Sequence, residues 1–480
     1  MFISYFNRLI LVILIKLIVL LPIAAQQYHA IHGSSYAGVS SSFNNPASIG
    51  NSLHRWDIQL FSGQSAIYTN TVYAQALKNA ALGRKGTYLT NGFQARELNI
   101  NSDMSILSAM YRINKKHAVA FAFRGKMYNH VYANELNHQD SISSIYSFFK
   151  SNRTTPFLES KSVNAGWGEL NLTYAGAIAE TKNSRLTVGG SLQISKSFFG
   201  GYASLSKLRF REDINGRDTN YIAYSGLAEY GYSSNIDQIQ NNGVSLSTVK
   251  SFLKQARTAV GLSVGLEYLQ YDDENDLDKR NDGGRLYNYK IGFSIVDIGA
   301  QKFNNSPYTG RFIGNNRSIS PSIIARVFRG LDNAQQLRDS LTVLFDSTQV
   351  LPAQFNIGNP TRAILNFDKQ IKPNFFVNTQ MVVHLSNTKN SANKQTNDYS
   401  FITITPRWEN LNWGIYLPVQ YTRDGQAWVG FAIKAGPFIG GIHRIGIIKQ
   451  GSLLNGGGYI LLNIHPFRKK EMKSRIDCFE

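Results

Sequence analysis

The chain has 480 residues, of which 43% are hydrophobic, 12% aromatic and only 17% charged. Soluble domains carry about a quarter charged residues, so this shortfall points to a surface that faces lipid, while 28 Phe and 25 Tyr exclude a chain too polar to fold. The lone cysteine, Cys478, excludes an internal disulfide scaffold and a cysteine-type zinc site; the net charge of +19 is scattered singly, unlike the stripe or tail of a nucleic-acid binder, and suits an envelope rich in anionic lipid.

Residues 1–25 carry Arg8, an apolar run from Leu9 to Leu21 and then Pro22-Ile23-Ala24-Ala25, the layout of a cleavable secretory signal peptide. Lys16 divides the run, which falls short of the about 20 uninterrupted apolar residues of an anchor. Beyond residue 25 every apolar run is short and broken, so the exported chain is either a large periplasmic protein or a closed barrel in an outer membrane.

Residues 26–54 precede the first strand, and from there alternation of period two recurs without a compositional break to residue 467. Strands are expected near 55–69, 96–112, 117–130, 164–180, 185–199, 203–211 and 219–232. They continue near 257–270, 285–299, 318–328, 353–367, 373–386, 398–409, 411–422, 425–435 and 457–467. In the clearest case Val260, Leu262, Val264, Leu266 and Tyr268 form one face, and Gly261, Ser263, Gly265 and Glu267 the other. Val119, Phe121 and Phe123 oppose Ala118, Ala120, Ala122 and Arg124 in the same way. Strand lengths fit a tilted stave crossing hydrocarbon, and Trp56, Trp167, Trp408, Trp413 and Tyr421 stand where an interfacial aromatic girdle would lie. The fold class is all-β: a transmembrane antiparallel β-barrel of about 14 to 16 strands, with a few short helices in loops or at the rim.

Asn114-Lys115-Lys116, Glu409-Asn410 and Asp424-Gly425 suit hairpin turns. Helical spacing appears at Val244–Arg257 and Leu331–Phe345, and a third short helix is drawn at Thr71–Leu82; these pack at the rim, or one of them occludes the lumen. Residues 468–480 form a C-terminal tail beyond an aromatic Phe467.

No motif supports catalysis. Gly261-Leu262-Ser263-Val264-Gly265 matches GxSxG, but its serine lies mid-strand and not on a strand-to-helix elbow. The acidic stretch Asp272, Asp273, Glu274, Asp276, Asp278 and Asp282 fails the calcium-loop spacing and reads as a solvated extracellular loop. His29 and His32 lack a carboxylate partner, and Gly456-Gly457-Gly458 reads as a turn before the closing strand. The sequence therefore predicts no enzyme, no cofactor and no metal site. Arg124, Glu267 and Lys434 are candidate lumen charges, tuning ions in an open pore or pairing in a plugged one. Small inward residues, Gly261, Ser263, Gly265, Ala118, Ala120 and Ala122, leave lumen space or accommodate an inserted N-terminal segment.

Four segments carry a family resemblance: Asn44-Asn45-Pro46-Ala47-Ser48-Ile49 followed by Arg55 to Leu60, Tyr289 to Gly299, Leu351 to Gly358, and Tyr459 to Phe467. Together they resemble DUF5723, a family of Bacteroidetes outer-membrane barrels of unknown function, over about residues 28 to 470. The tripeptide Asn45-Pro46-Ala47 is also similar to the N-terminal hatch of the long-chain fatty-acid channel family. That similarity implies a plug in the lumen, whereas turn chemistry alone explains the same three residues as a simple turn. The resemblance implies an outer-membrane location among its lipid, with no established activity. The expected role is a passage or binding site for a small or amphipathic solute. The alternative is a non-transporting structural barrel that docks a secretion or surface-attachment complex through an envelope protein partner.

Overall fold

The computed structural model describes residues 31–74, 87–139, 145–215, 218–237, 245–271, 286–314, 317–327, 334–345, 347–385, 394–448 and 452–465. The expected signal peptide, His29, the acidic stretch, Phe467, Cys478 and the C-terminal tail lie outside these residues, as does most of the helix drawn at 71–82, whose described part, Val72–Ala74, is a strand instead.

The strands in chain order are β1 (Trp56–Thr69), β2 (Val72–Ala74), β3 (Thr87–Leu89), β4 (Gly92–Arg112), β5 (His117–His138), β6 (Leu158–Glu180), β7 (Ser184–Asn215) and β8 (Asp218–Tyr232). Then come β9 (Arg257–Gln270), β10 (Tyr289–Asn304), β11 (Gly310–Ile313), β12 (Arg317–Ile319), β13 (Ser347–Gln349), β14 (Gln354–Gly358), β15 (Arg362–Lys372), β16 (Phe375–His384) and β17 (Phe401–Glu409). The last are β18 (Trp413–Tyr416), β19 (Val419–Thr422), β20 (Ala427–Val429), β21 (Phe431–Ala435), β22 (Phe438–Ile442) and β23 (Gly456–Ile464). Among the described residues four helices stand in the connections: α1 (Ile145–Ser151), α2 (Leu246–Gln255), α3 (Pro321–Val327) and α4 (Ala334–Leu344).

β1 pairs antiparallel with β4 on one side and with β23 on the other, so the sheet closes on itself. Among the described residues 14 staves complete the ring, with β14/β15, β18/β19 and β20/β21 each forming one interrupted stave. Closure leaves no unpaired edge, which a chain in hydrocarbon requires. The outward face carries exposed Val260, Leu262, Val264, Leu266, Ile402, Ile404, Ile415 and Ile433, whereas the alternate positions are buried and polar. No described helix is long and apolar enough to cross a membrane.

One end of the barrel carries short turns. At the first of them Asn114 Oδ1 accepts from the Lys116 and His117 amides, an Asx turn that needs no further residues. The long connection between β9 and β10, residues 271–288, also joins its strands at this end. The other end carries these four helices and the other long connections. There β7 runs on past the ring: its lower part pairs with β9 and its upper part with β8. β8 in turn pairs with β11 and β12, which raises a small sheet beyond the barrel around Leu158, Leu208, Phe312 and Phe345.

Several sequence expectations are corrected. The strands drawn at 185–199 and 203–211 are one strand, and 219–232 stands outside the ring. Residues 318–328 hold a three-residue strand and then α3, because Pro321 suits the first turn of a helix and the Ser320 hydroxyl accepts from Ile323 N. Phe438–Ile442 is a stave the sequence pattern missed, and Gly456–Gly458 pair inside the closing strand with β1 instead of forming a turn before it. Trp56, Trp408 and Trp413 are exposed near the short-turn rim, but Trp167 is buried inside the barrel, stacked on Tyr128 at 5.5 Å.

Candidate functional site

The site is the barrel interior. Residues 26–54 contain no Asp, Glu, Lys or Arg, and the described part, from Ile31 to His54, lies inside the short-turn half of the ring. Two short 3-10 turns, Gly38–Phe43 and Pro46–Asn51, shape it. Asn45 starts the second: its backbone is extended, its side chain accepts from Ala47 N at 3.0 Å, and Pro46 supplies a helical φ without an amide to satisfy.

Hydrogen bonds tie this segment to staves around the ring. Ser34 donates to both Glu409 oxygens on β17, at 3.0 and 2.8 Å, and Val39 N donates to Asp57 on β1. On β9, Glu267 accepts from Ser48 Oγ at 2.5 Å and Asn51 Nδ2 at 2.8 Å. Ser294 of β10 donates to Asn44 O, Arg185 of β7 to Gly50 O and Arg112 of β4 to Ser52 O, while His32 pairs with Gln380 of β16. Burial holds the His32 imidazole down at about 3, so it is neutral in place. Small wall residues admit the apolar side chains of the segment. Val39 and Ile49 cluster with Ala118, Ala120 and Ala175, and Ile31, Ala37 and Phe43 with Ala122, Tyr416 and Tyr459.

Asn45, Pro46 and Ala47 sit where β7, β9 and β10 carry glycines. A Cβ on Gly189 would meet Ala47 N at 2.5 Å and Pro46 C at 2.6 Å, both backbone atoms. One on Gly265 would strike the Asn45 amide, and one on Gly292 would meet Asn45 Nδ2 at 2.9 Å. Asn45 Nδ2 also donates to Leu266 O at 2.9 Å. Three neighbouring staves thus lack side chains where the tripeptide presses on the wall.

Above the segment a chain of buried ion pairs crosses the interior. Arg124 pairs with Asp103 and lies 3.6 Å from Glu169, and Lys126 bridges Glu169 at 3.0 Å and Asp297 at 2.6 Å. Arg362 continues the chain from Asp297 at 3.2 Å to Asp398 at 3.5 Å. Since β5 and β10 are separated by three staves, the Lys126–Asp297 bridge is a chord through the lumen. Asp297 reaches it from a β-bulge, with φ at 59°. A second buried group joins Arg407 to Asp368 at 2.6 Å and to Glu409 at 2.7 Å.

Of the sequence-predicted charges, Arg124 belongs to this chain of pairs and stacks on Phe43 of the segment, with its guanidinium 4.1 Å from the ring centroid. Glu267 accepts from the segment. Lys434 donates to Asn410 O and lies 4.8 Å over the Tyr36 ring. All three are buried and engaged. Sequence reasoning missed Lys126, Glu169, Asp297 and Arg362. Lys126 shares the inward parity of Arg124 and was within reach, but the bulge takes Asp297 out of any simple alternation.

Toward the long-loop end the interior turns aromatic: Tyr128, Trp167, Tyr202, Phe303 and Phe355 form one cluster, and Tyr68, Tyr399, Phe401 and Trp428 another. A cavity of about 20 Å³ between the segment and β9, β10, β15 and β16 is lined by His32, Glu267, Lys290, Asn366 and Gln380, room for about one water. Ser263 is buried within β9, accepting from Gln193 Nε2 and Asp297 N, so it presents no nucleophile. Among the described residues no three His, Cys, Asp or Glu side chains group as metal ligands.

A closed antiparallel barrel with an apolar outer face, a polar inner face and a neutral N-terminal segment inside it defines the class: a transmembrane-type β-barrel with an occupied lumen. The family of unknown function DUF5723 matches residues 46–441, and the chain belongs to it. No curated protein matches the sequence. Solved structures to which the chain is similar include a Pseudomonas aeruginosa FadL homologue, 11% identical, TM-score 0.42, covering 92% of this chain and 98% of that one. The Ralstonia pickettii toluene transporter TbuX is 10% identical, TM-score 0.35, covering 89% and 92%. The P. putida toluene transporter TodX is 10% identical, TM-score 0.37, again covering 89% and 92%.

Proposed function

We propose that the chain is an outer-membrane channel in its closed state, exported by a signal peptide cut after Ala25. Short turns face the periplasm, as in bacterial barrels generally, and the N-terminal segment is a plug that shuts that end. The aromatic half of the lumen receives a small apolar or amphipathic solute from the long-loop side. Arg124, Glu267 and Lys434 are lumen charges that hold the plug or the ion pairs above it.

One observation carries this reading: the segment that fills the lumen is uncharged, while the wall around it is not. A filler meant only to stabilise would be apolar and would leave a poorly hydrated wall on exit. This one is held by hydrogen bonds to Glu267, Glu409 and Asp57, which water can replace. Once it leaves, water reaches the ion pairs of Arg124 and Lys126 and weakens them by raising the local dielectric. The test is uptake of apolar and amphipathic probes by proteoliposomes. Uptake above empty vesicles supports a passage, and none with any probe argues against it.

A second reading, a docking scaffold, has its own support in the sheet raised beyond the ring on β7 and β8, where Ile214 and Val350 stand exposed. A stable envelope partner lost on trimming this sheet, together with no solute uptake, would favour it.

A further inference from the structure

At the long-loop boundary of the outer apolar band, five cations gather on one side of the barrel. Lys196 follows exposed Leu192 and Ile194 on the outward face of β7, and Lys302 follows exposed Ile298 on that of β10. Between them β9 begins at Arg257, which is paired with inward Ser197 and so stands at the same level but starts from the inner face, the outward position beside Lys196 being Thr258. The Lys302 amide donates to Ser197 Oγ at 3.3 Å, which fixes that level on β10. Arg257 reaches Asn304 Oδ1 at 3.2 Å, two positions from Lys302 on the same face.

α2 adds Lys250 and Lys254, one helical turn apart and both exposed. Its apolar Leu253 is exposed beside them, and its capping carbonyl, Ala256 O, accepts from Lys196 Nζ at 3.3 Å. None of the five cations has a carboxylate partner among the described residues, unlike buried Arg124, Lys126 and Arg407. Unpaired cations beside exposed apolar side chains complement a ligand with an anionic head and acyl chains.

We propose that Lys196, Lys250, Lys254, Arg257 and Lys302 form a binding ledge for the phosphorylated headgroup of a lipid in the leaflet on the long-loop side. Its acyl chains lie along Leu192, Ile194, Val260 and Ile298. α2 rests at the interface, with Leu253 inserted among the chains and its lysines at phosphate depth. The proposal relies on the membrane reading above and concerns lipid choice, not passage.

Native mass spectrometry of the full chain released from non-ionic detergent tests it, with a diphosphorylated glucosamine lipid, the same lipid dephosphorylated, and phosphatidylcholine as probes. The protein should retain the diphosphorylated lipid selectively, and Lys196→Gln with Lys302→Gln should lower that retention by about thirtyfold, the worth of two interfacial cations. Lys250→Gln with Lys254→Gln should act similarly. Retention by the unaltered protein should also fall as salt rises, a readout that needs no variant to fold. Equal retention of the phosphorylated and dephosphorylated lipids, or no salt dependence, overturns the ledge. Flotation of the same protein with phosphatidylcholine vesicles checks the membrane reading separately, and loss of flotation would overturn that reading first.

Discussion

Replacing Gly189 by alanine probes the seat of the Asn45-Pro46-Ala47 turn. The new methyl group would lie 2.5 Å from Ala47 N, 2.6 Å from Pro46 C and 2.7 Å from Pro46 O. All three are backbone atoms, so no side-chain rotation relieves the clash. Overfilling a packed site costs ~1–3 kcal/mol, and β7 is hydrogen-bonded on both sides by β6 and β9, so the segment is the part that yields. A cost of ~2–3 kcal/mol lowers the ratio of seated to released segment by about 30- to 150-fold. The next residue supplies the control, since a methyl group on Gly190 meets nothing nearer than Ser263 O at 3.8 Å. With Cys478→Ser removing the only native thiol, Ser42→Cys places a reporter in the buried segment, and its maleimide labelling rate reads release. Labelling should be slow in that background and with Gly190→Ala, and faster by about thirtyfold or more with Gly189→Ala. Equal rates for the two alanine variants would refute the steric seat.

Three further outcomes follow from the same structure. Val264→Lys puts a charge on the outer face of β9 and should cost ~2–4 kcal/mol in refolding into bilayers, as lysine does at mid-membrane; unchanged insertion would show that this face does not meet lipid. Arg124→Ala strands Asp103 and should lower stability by ~3–5 kcal/mol, the effect of halving a buried pair. Arg311→Ala, whose side chain is 41% exposed, should lower it far less, and unfolding monitored by heat-modifiable gel mobility compares the two. Because burial holds His32 down at about 3, a released segment takes up a proton between pH 6.5 and about 3 that a seated one does not. Seating should therefore weaken as pH falls through that window and stay constant above it. The labelling rate of Ser42→Cys relative to that of a free thiol at the same pH, which cancels the loss of thiolate in acid, should be higher at pH 5 than at pH 7.5, and His32→Gln should flatten the difference.

The barrel was legible because the outer face of most staves obeys one rule: every second residue is apolar, as in Val260 to Leu266. The inner face obeys no rule of comparable strength, and the errors cluster there. The gap left between strands expected at 185–199 and 203–211 holds Gly200, which is small because Phe303 lies where its side chain would be, 2.7 Å from an added Cβ. Phe438–Ile442 escaped notice for the same reason, since Gly441 yields its space to the Tyr459 ring. Trp167 reads as a girdle residue by type, but it alternates in phase with Ala165 and Glu169 and so points inward, donating to Glu169 Oε2 at 2.8 Å. The glycine seat and the Lys126–Asp297 chord depend on staves far apart in sequence, and only closure of the ring brings them together.

Single-channel recording in planar bilayers, comparing the chain with a form lacking residues 31–54, tests the central claim most directly. The account predicts a closed full-length protein and sustained conductance once the segment is removed. A shortened barrel that keeps its heat-modifiable fold yet conducts no more than the full chain would contradict it.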